Sequence, residues 1–251
     1  MIELINVKKS FGSQVVLDGV DFVVETGCTV ALLGPSGTGK SVLLKHIVGL
    51  LMPDSGEVYV DGQPVPRLTR KELTKLRQKI GYGFQMGALF DSMNVYENIR
   101  LGITDDRLFR DKSYCDERVA ECLRLVNLNP DVATKMPAAL SGGMKKRVGI
   151  ARAIAGQPSY LLYDEPTSGL DPVNADAMDD LIAQLQQELK VTSVVVTHDV
   201  RGSFKVADRI ALLHHGKIRK VGTAEEFVNA KDEVVREFLD RDFQLLGPER
   251  D

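Results

Sequence analysis

The feature that most constrains the fold is a glycine-rich segment at residues 34–41, which reads GPSGTGKS. An apolar run, Val30–Leu33, precedes it, and a helix-like stretch continues from Val42 to Val48. Glycines let successive backbone N–H groups turn toward an anion, and a following helix presents its unpaired N-terminal donors to phosphate. Because both flanks are in place, the segment indicates a nucleoside triphosphate site rather than an ordinary glycine-rich turn.

The spacing within this loop assigns separate roles to its residues. Lys40 would place a positive charge beside the β- and γ-phosphates, and the Ser41 hydroxyl would become a ligand of Mg²⁺. The remaining predicted nucleotide contacts are Gly34, Pro35, Ser36, Gly37, Thr38 and Gly39.

Composition and charge narrow the classes of protein. A chain of 251 residues with 43% hydrophobic content can form one large domain, or one domain with a subdomain. Its net charge of −3 disfavours nucleic acid as the principal partner. Cys28, Cys115 and Cys122 lack C-x-x-C spacing, which favours reduced, buried thiols over a disulfide framework or a zinc site. Apolar runs fall short of the roughly 18 residues that span a bilayer, so we expect any membrane role to depend on a partner.

Hydrophobic periodicity divides the chain into two kinds of segment. Strand-like and helix-like patterns alternate at both ends, whereas residues 86–156 are almost entirely helical. This pattern predicts a helical subdomain inserted into an α/β core. The predicted parts of the single domain, 1–241, are a core of 1–85 and 157–223, the helical subdomain 86–156 and a C-terminal helix 224–241, followed by a mobile tail 242–251.

Two local signals predict element boundaries. Asp171 followed by Pro172 is typical of a helix cap with proline at the first helical position. His215 followed by Gly216 separates two apolar runs, as expected for a tight hairpin.

A second motif lies at residues 160–165, YLLYDE, where an apolar run ends in the two carboxylates of Asp164 and Glu165. Asp164 is the candidate Mg²⁺ ligand, and Glu165 could accept a proton from the water that attacks the γ-phosphate. Alone, this pattern is also typical of a solvated loop. Because parallel strands place their C-terminal ends on one edge of a sheet, we expect Gly34 and Asp164 to converge.

Further motifs resemble those of ABC-transporter ATPases. Leu140–Met144, LSGGM, resembles their signature sequence, and Gln85 lies where their Q-loop does. His198 follows an apolar strand as their switch histidine does, and Ser168–Asp171 matches their D-loop. These motifs extend over nearly the whole chain. The resemblance implies an α/β fold: a P-loop NTPase, ABC-type ATPase core with a helical subdomain and an N-terminal antiparallel β region.

The same resemblance implies that ATP, with Mg²⁺, lies between two copies of the chain. The signature residues of one copy would bind the nucleotide held by the P-loop of the other. The residues implied for this shared site are Ser141, Gly142, Gly143 and Asp171 for the nucleotide, His198 for the γ-phosphate and attacking water, Gln85 for Mg²⁺, and Phe11 for stacking on adenine. Alternatively, His198 is a packed or surface histidine and Phe11 a core or loop aromatic residue.

Three features are similar to the ATPase subunits of lipid-asymmetry (Mla) and Mce-type phospholipid transporters: the LSGGM signature, Gln85–Asn98 and Val234–Asp240. This similarity implies a membrane permease, a lipid-binding Mce-type subunit and a peripheral location on the cytoplasmic face of a bacterial inner membrane. The segment after Gln85 would also receive a helix of the permease on an apolar patch. The predicted patch consists of Leu89, Phe90, Met93 and Val95, which alternatively pack the helical subdomain.

Three other functions fit parts of this pattern. An importer ATPase for a small polar solute would share every catalytic motif. A soluble ABC-type ATPase acting on DNA or ribosomes is disfavoured, because those proteins carry long coiled-coil insertions or tandem ATPase units. A nucleotide sensor that does not hydrolyse ATP is disfavoured by Glu165 and His198.

Overall fold

A computed structural model describes residues 1–244 of the chain, with side chains for residues 1–240. The strands are β1 Ile2–Phe11, β2 Gln14–Val24, β3 Thr29–Leu33, β4 Ser55–Val60, β5 Gln63–Pro64, β6 Ile80–Gly83, β7 Tyr160–Asp164, β8 Thr192–Val196, β9 Arg209–His214 and β10 Lys217–Gly222. The α-helices are α1 Lys40–Ile47, α2 Arg70–Gln78, α3 Val95–Arg100, α4 Asp106–Arg110, α5 Lys112–Leu125, α6 Gly142–Ala155, α7 Pro172–Leu189, α8 Val200–Val206, α9 Ala224–Val228 and α10 Glu233–Gln244. None of these helices in the described part is both long and apolar enough to cross a membrane.

The strands form two sheets. One has four strands in the order β2-β1-β4-β5, and all its pairs are antiparallel. The other has six strands in the order β10-β9-β3-β8-β7-β6. In it, β3 pairs with β9 and β6 pairs with β7 in parallel, whereas β9 and β10 are antiparallel. The predicted α/β class with an N-terminal antiparallel region is confirmed.

The chain divides into two compact units. Unit 1 consists of residues 1–68 and the described residues from 194 onward, and unit 2 consists of residues 69–193. Unit 2 contains the whole of the predicted helical subdomain, 86–156, together with α2, β6, β7 and α7. The narrower subdomain bounds stay a prediction.

Both local boundary signals are confirmed. The Asp171 side chain caps α7 by accepting a hydrogen bond from Asn174 N at 3.1 Å, and Pro172 is the first helical residue. The β9–β10 turn places His215 at φ 47° and Gly216 at φ 72°. Two successive positive φ angles are what a type I′ hairpin turn requires.

The core of unit 1 is built on strand β3. All five of its residues are buried, as expected for a strand in the interior of a sheet that is covered on both faces. One apolar cluster joins β3 to the C-terminal helices; its buried members are Ala31, Leu33, Val200, Ile210, Leu212, Phe227, Val235 and Leu239. The C-terminal helices therefore pack on their own unit.

The C-terminal region contains two helices where the sequence predicts one over 224–241. Helix α9 ends at Val228, with Asn229 as its C-cap. Asp232 Oδ1 then accepts hydrogen bonds from the backbone N of Val234 at 3.0 Å and of Val235 at 3.3 Å. The Asp232 side chain thus satisfies backbone N–H groups that are free at the start of a second helix. In a single continuous helix, these N–H groups would already be hydrogen-bonded within the helix. Helix α10 extends through Gln244, and the predicted tail beyond it lies outside the described residues.

Helix α6 packs on its neighbours in unit 2 by close backbone contacts. A Cβ atom added to Gly81 of β6 would lie 2.4 Å from the carbonyl oxygen of Ala153. One added to Gly102, just after α3, would lie 1.9 Å from the carbonyl oxygen of Arg152. Glycine at these positions allows the helix to approach closer than any side chain would permit.

Replacing Gly102 with alanine should therefore lower the free energy of unfolding by about 2 kcal/mol or more, because α6 must shift to admit the methyl group. The measurement is the urea midpoint of the purified protein. Gly142→Ala is the matched control, since no heavy atom lies within 4 Å of a Cβ at Gly142. Equal midpoints for the two variants would contradict the close packing.

Candidate nucleotide site

The glycine-rich loop begins where β3 ends and packs directly on the backbone of its own unit. A Cβ atom on Gly34 would lie 2.4 Å from the carbonyl oxygen of Leu213, at the end of β9. Gly39 has φ 100°, and a Cβ atom there would lie 2.8 Å from Val16 Cγ1 on β2. The loop is therefore held between two strands, and its path depends on glycine at both ends.

Helix α1, which follows this loop, begins without a side-chain cap. Its N-cap is Gly39, in the left-handed conformation, and its first turn carries no acidic residue. Helices α2 to α9 each have a side-chain cap, from Thr69, Asn94, Asp105, Asp111, Ser141, Asp171, Asp199 and Thr223. The uncapped N–H donors of α1 fit an anionic ligand.

Lys40 places its positive charge over the same loop. The side chain is 5% exposed, and Nζ donates hydrogen bonds to the carbonyl oxygens of Gly34 at 2.6 Å and Pro35 at 3.2 Å. Ser41 is half-buried at the second position of the helix. Positive-φ glycines, an uncapped helix and a buried ammonium group together fit a bound triphosphate.

Two other predicted contacts lie in unit 1. The backbone N of Thr197 donates to the carbonyl oxygen of Leu32 at 3.2 Å, so His198, which is exposed, follows at the end of β3 from which the loop starts. Phe11 ends β1 and its side chain is 47% exposed. Both side chains are accessible to a ligand, and the exposure of Phe11 excludes the alternative of a core aromatic residue.

Asp164 ends strand β7 in unit 2 and is nearly buried. Its Oδ2 accepts a hydrogen bond from the Tyr82 hydroxyl at 3.0 Å. Burial, followed by the charge of Asp164, raises the pKa of Tyr82, so the phenol stays protonated and remains a donor. No sequence motif identifies Tyr82; the only signal for it is a hydroxyl-bearing aromatic residue in the strand beside β7.

Glu165 follows at φ 51°, a left-handed conformation for a residue with a side chain. Its carbonyl oxygen accepts hydrogen bonds from Ser168 N at 3.2 Å and from Lys146 Nζ at 3.2 Å. Burial lowers the pKa of Lys146, and the negative charge of Glu165 opposes that effect. The half-buried Glu165 side chain is thus carried by a constrained peptide with a cation nearby.

The loop that carries Gln85 is fixed between the Glu165 segment and α6. Gln85 Nε2 donates to Ser168 Oγ at 3.2 Å. Arg152 donates to the carbonyl oxygens of Ala88 at 2.8 Å and Gly87 at 2.9 Å. A Cβ atom on Gly149 of α6 would lie 2.9 Å from Gly87 Cα, so helix and loop touch backbone to backbone.

The predicted signature residues form an exposed helix start in unit 2. Ser141 is the N-cap of α6, and its Oγ accepts a hydrogen bond from Met144 N at 3.3 Å. Ser141 and Gly142 are exposed and Gly143 is half-buried. Asp171 is also exposed, and its hydrogen bonds from Asn174 lower its pKa. An approaching molecule could therefore contact these residues directly.

The structure thus arranges the predicted residues in two groups. Unit 1 holds Phe11, the loop 34–41 and His198; unit 2 holds Gln85, Ser141, Gly142, Gly143, Asp164, Glu165 and Asp171. The convergence of Gly34 with Asp164 stays a prediction. Among the side chains described, those of residues 1–240, no three or more His, Cys, Asp or Glu gather as a metal site. Mg²⁺ at nucleotide sites uses one or two carboxylates with phosphate oxygens, so such a cluster is not required, and the assignment of Ser41 and Asp164 as its ligands stays a prediction.

Comparison with known proteins identifies the family. The ABC transporter family model matches residues 17–168. A probable ribonucleotide transport ATP-binding protein, mkl, of Mycobacterium leprae is 39% identical over 247 residues, covering 98% of this chain and 70% of that protein. The intermembrane phospholipid transport ATP-binding protein MlaF of Haemophilus influenzae is 36% identical over 243 residues, covering 95% and 90%. The methionine import ATP-binding protein MetN of Carboxydothermus hydrogenoformans is 42% identical over 224 residues, covering 89% and 66%.

Solved structures agree with these relatives. A dimeric post-hydrolysis structure of the ATP-binding cassette MJ0796, bound to ADP and Pi, has a TM-score of 0.80 and 35% identity, covering 89% of this chain and 99% of that one. The ABC transporter protein cbiO1 from Clostridium perfringens has a TM-score of 0.82 and 30% identity, covering 98% and 96%. The chain therefore belongs to the ABC transporter family and is one of its ATP-hydrolysing subunits.

Proposed function

We propose that this protein drives a phospholipid permease in a bacterial envelope, and that it works as a homodimer around two Mg-ATP. The substrate assignment depends on the similarity of Gln85–Asn98 to the same segment of Mla and Mce-type ATPases. The exposed apolar side chains of this loop suit a helix of a membrane subunit. Its support among relatives is MlaF, which matches over most of both chains. The proposed location is peripheral, on the cytoplasmic face of the inner membrane.

The proposed chemistry assigns each polar residue one task. Lys40 and the N–H groups of α1 bind the phosphates, and Glu165 takes a proton from the attacking water. His198 orients that water beside the γ-phosphate. Ser41, Asp164 and Gln85 would hold Mg²⁺, which neutralises phosphate charge when it is bound.

The proposed dimer explains why the signature is exposed. Ser141, Gly142 and Gly143 lie in unit 2 at an open helix start, whereas the phosphate loop lies in unit 1. A second copy that presents this helix start would add backbone donors and a positive dipole end to the γ-phosphate. The MJ0796 cassette, which is dimeric and bound to ADP and Pi, supports the proposal of a dimer that binds nucleotide.

The proposed permease-binding surface differs from the patch expected from sequence. Val95 is fully buried, so it belongs to the packing of α3, whereas Phe84, Met86 and Phe90 are 44%, 78% and 54% exposed. The buried Asn98 holds the backbone of this loop: Oδ1 accepts from Phe90 N at 2.8 Å, and Nδ2 donates to the carbonyl oxygen of Phe90 at 3.1 Å. Phe90 is therefore presented to solvent by a fixed loop, as docking of an amphipathic helix requires.

A second candidate function is the import of a small polar solute. It is favoured by the 42% identity to MetN and by a choline transport relative from Bacillus subtilis at 36%. All the proposed catalytic residues would be the same in either case.

Mass spectrometry of the complex purified from native membranes distinguishes the two functions. We expect a permease, a lipid-binding subunit and bound phospholipid. Met86→Ser with Phe90→Ser should release the permease, whereas Val228→Ser, at a side chain 60% exposed in unit 1, should retain it. Recovery of a solute-binding protein without lipid would favour the importer.

A further inference from the structure

We propose that Lys146 is a positioning residue for ATP hydrolysis: from helix α6, its ammonium group fixes the peptide that carries Glu165. This inference rests on the proposed role of Glu165 as the base. Lys146 lies in the second turn of α6, next to the signature. None of the sequence motifs includes it.

The contacts of Lys146 are those of a buried cation that holds a backbone. Its side chain is 7% exposed, and Nζ donates to the carbonyl oxygens of Pro166 at 2.9 Å and Glu165 at 3.2 Å. Burying an ammonium group is costly unless it is hydrogen-bonded, and charge-assisted bonds to carbonyl groups are stronger than neutral ones. The geometry therefore ties this side chain to two consecutive peptide units.

The backbone conformation at Glu165 requires stabilisation by surrounding contacts. A left-handed backbone costs a residue with a side chain about 1 to 2 kcal/mol, and it persists only where its surroundings impose it. Glu165 adopts this conformation at φ 51°. Ser168 N and Lys146 Nζ both donate to its carbonyl oxygen. Of these two donors, only Lys146 comes from outside the Glu165–Ser168 turn.

Lys146 lies on the same helix, α6, that begins with the signature residues. Lys145 N donates to the carbonyl oxygen of Ser141 at 2.9 Å, so the turn that leads to Lys146 is continuous with the helix start. The proposed partner nucleotide binds at that helix start. A displacement of the first turn of α6 would move Lys146, and with it the peptide of Glu165. Engagement of the signature is thereby linked to the placement of the base.

The test compares Lys146→Met with Lys145→Met in the full chain. The two substitutions remove the same charge from adjacent positions, and Lys145 is half-buried. For Lys146→Met we expect kcat to fall by about tenfold or more, with KM for ATP within about twofold, because the base is misplaced while nucleotide binding is retained. Lys145→Met should stay within about twofold in both values, and Lys146→Arg, which keeps the donors, within about threefold of the wild type.

A double variant separates positioning from a general structural role. If Lys146 acts through Glu165, Lys146→Met should cause no further loss of kcat when it is added to Glu165→Gln. An equal additional loss, or a wild-type kcat for Lys146→Met alone, would overturn the proposal. If Glu165→Gln itself leaves turnover unchanged, the base assignment fails and this inference fails with it. Should Lys146→Met not fold, Lys146→Gln, whose amide is too short to reach both carbonyl groups, is expected to show the same selective fall in kcat.

Discussion

Replacing Glu165 with glutamine should lower ATP turnover by at least about a hundredfold, which is within the range for loss of a general base. The amide has the size of the carboxylate but accepts no proton at neutral pH. The half-buried side chain and the hydrogen bonds to its own backbone are retained, so the fold should be unaffected. Phosphate release under saturating ATP measures the effect.

The same substitution should stabilise the nucleotide-bound dimer, because ATP remains uncleaved between the two copies. Size-exclusion chromatography with Mg-ATP should show a dimer that persists for Glu165→Gln and dissociates with turnover in the wild type. Glu117→Gln is the matched control, since Glu117 is an exposed carboxylate of α5 in the same unit. Unchanged turnover in Glu165→Gln would refute the assignment of the base.

Replacing Ser141 with phenylalanine should abolish hydrolysis, to below about one hundredth of the wild-type rate, as expected for loss of donors that stabilise transition-state charge, while nucleotide binding by the monomer stays within about twofold. The expected cause is steric: a bulky ring at this exposed helix start would keep the terminal phosphate of the other copy from the backbone donors. Turnover and the affinity of a fluorescent ATP analogue are the two measurements.

The effect of losing the Ser141 helix cap has to be distinguished from the effect of the added aromatic ring. Ser141 Oγ accepts from Met144 N, and loss of such a cap costs about 1 kcal/mol of stability. Ser141→Ala removes the cap without the ring, so it should lower the melting temperature as much as Ser141→Phe but retain far more hydrolysis. Loss of nucleotide binding in monomeric Ser141→Phe would contradict a site shared between two copies.

Local sequence signals predicted most elements of this fold. Asp171 with Pro172 and His215 with Gly216 act through their own backbone geometry, so a short window of sequence is enough to identify them. The glycine-rich loop was predictable for the same reason. Its strand, its turn and its helix are consecutive in the chain.

Contacts between distant segments were harder to predict. Val95 was expected in an exposed patch but is buried, because an apolar residue at the start of α3 satisfies either environment in sequence. Tyr82 and Lys146 were missed because their partners, Asp164 and Pro166, lie on other elements. The division at Asp232 required knowing that its carboxylate turns back to cap a new helix. Patterning assigns residues to elements, but it does not say which side chains meet across them.

The bare backbone contact between Gly149 and Gly87 bears on signal transmission within unit 2. Side chains that separate two elements usually absorb small displacements by changing rotamer. Here helix α6 and the Gln85 loop are in contact with no side chain between them. Arg152 of α6 also donates hydrogen bonds to the backbone of the same loop. A rigid-body displacement at one end of α6 should therefore be transmitted to the Gln85 loop without being absorbed by side-chain rearrangement.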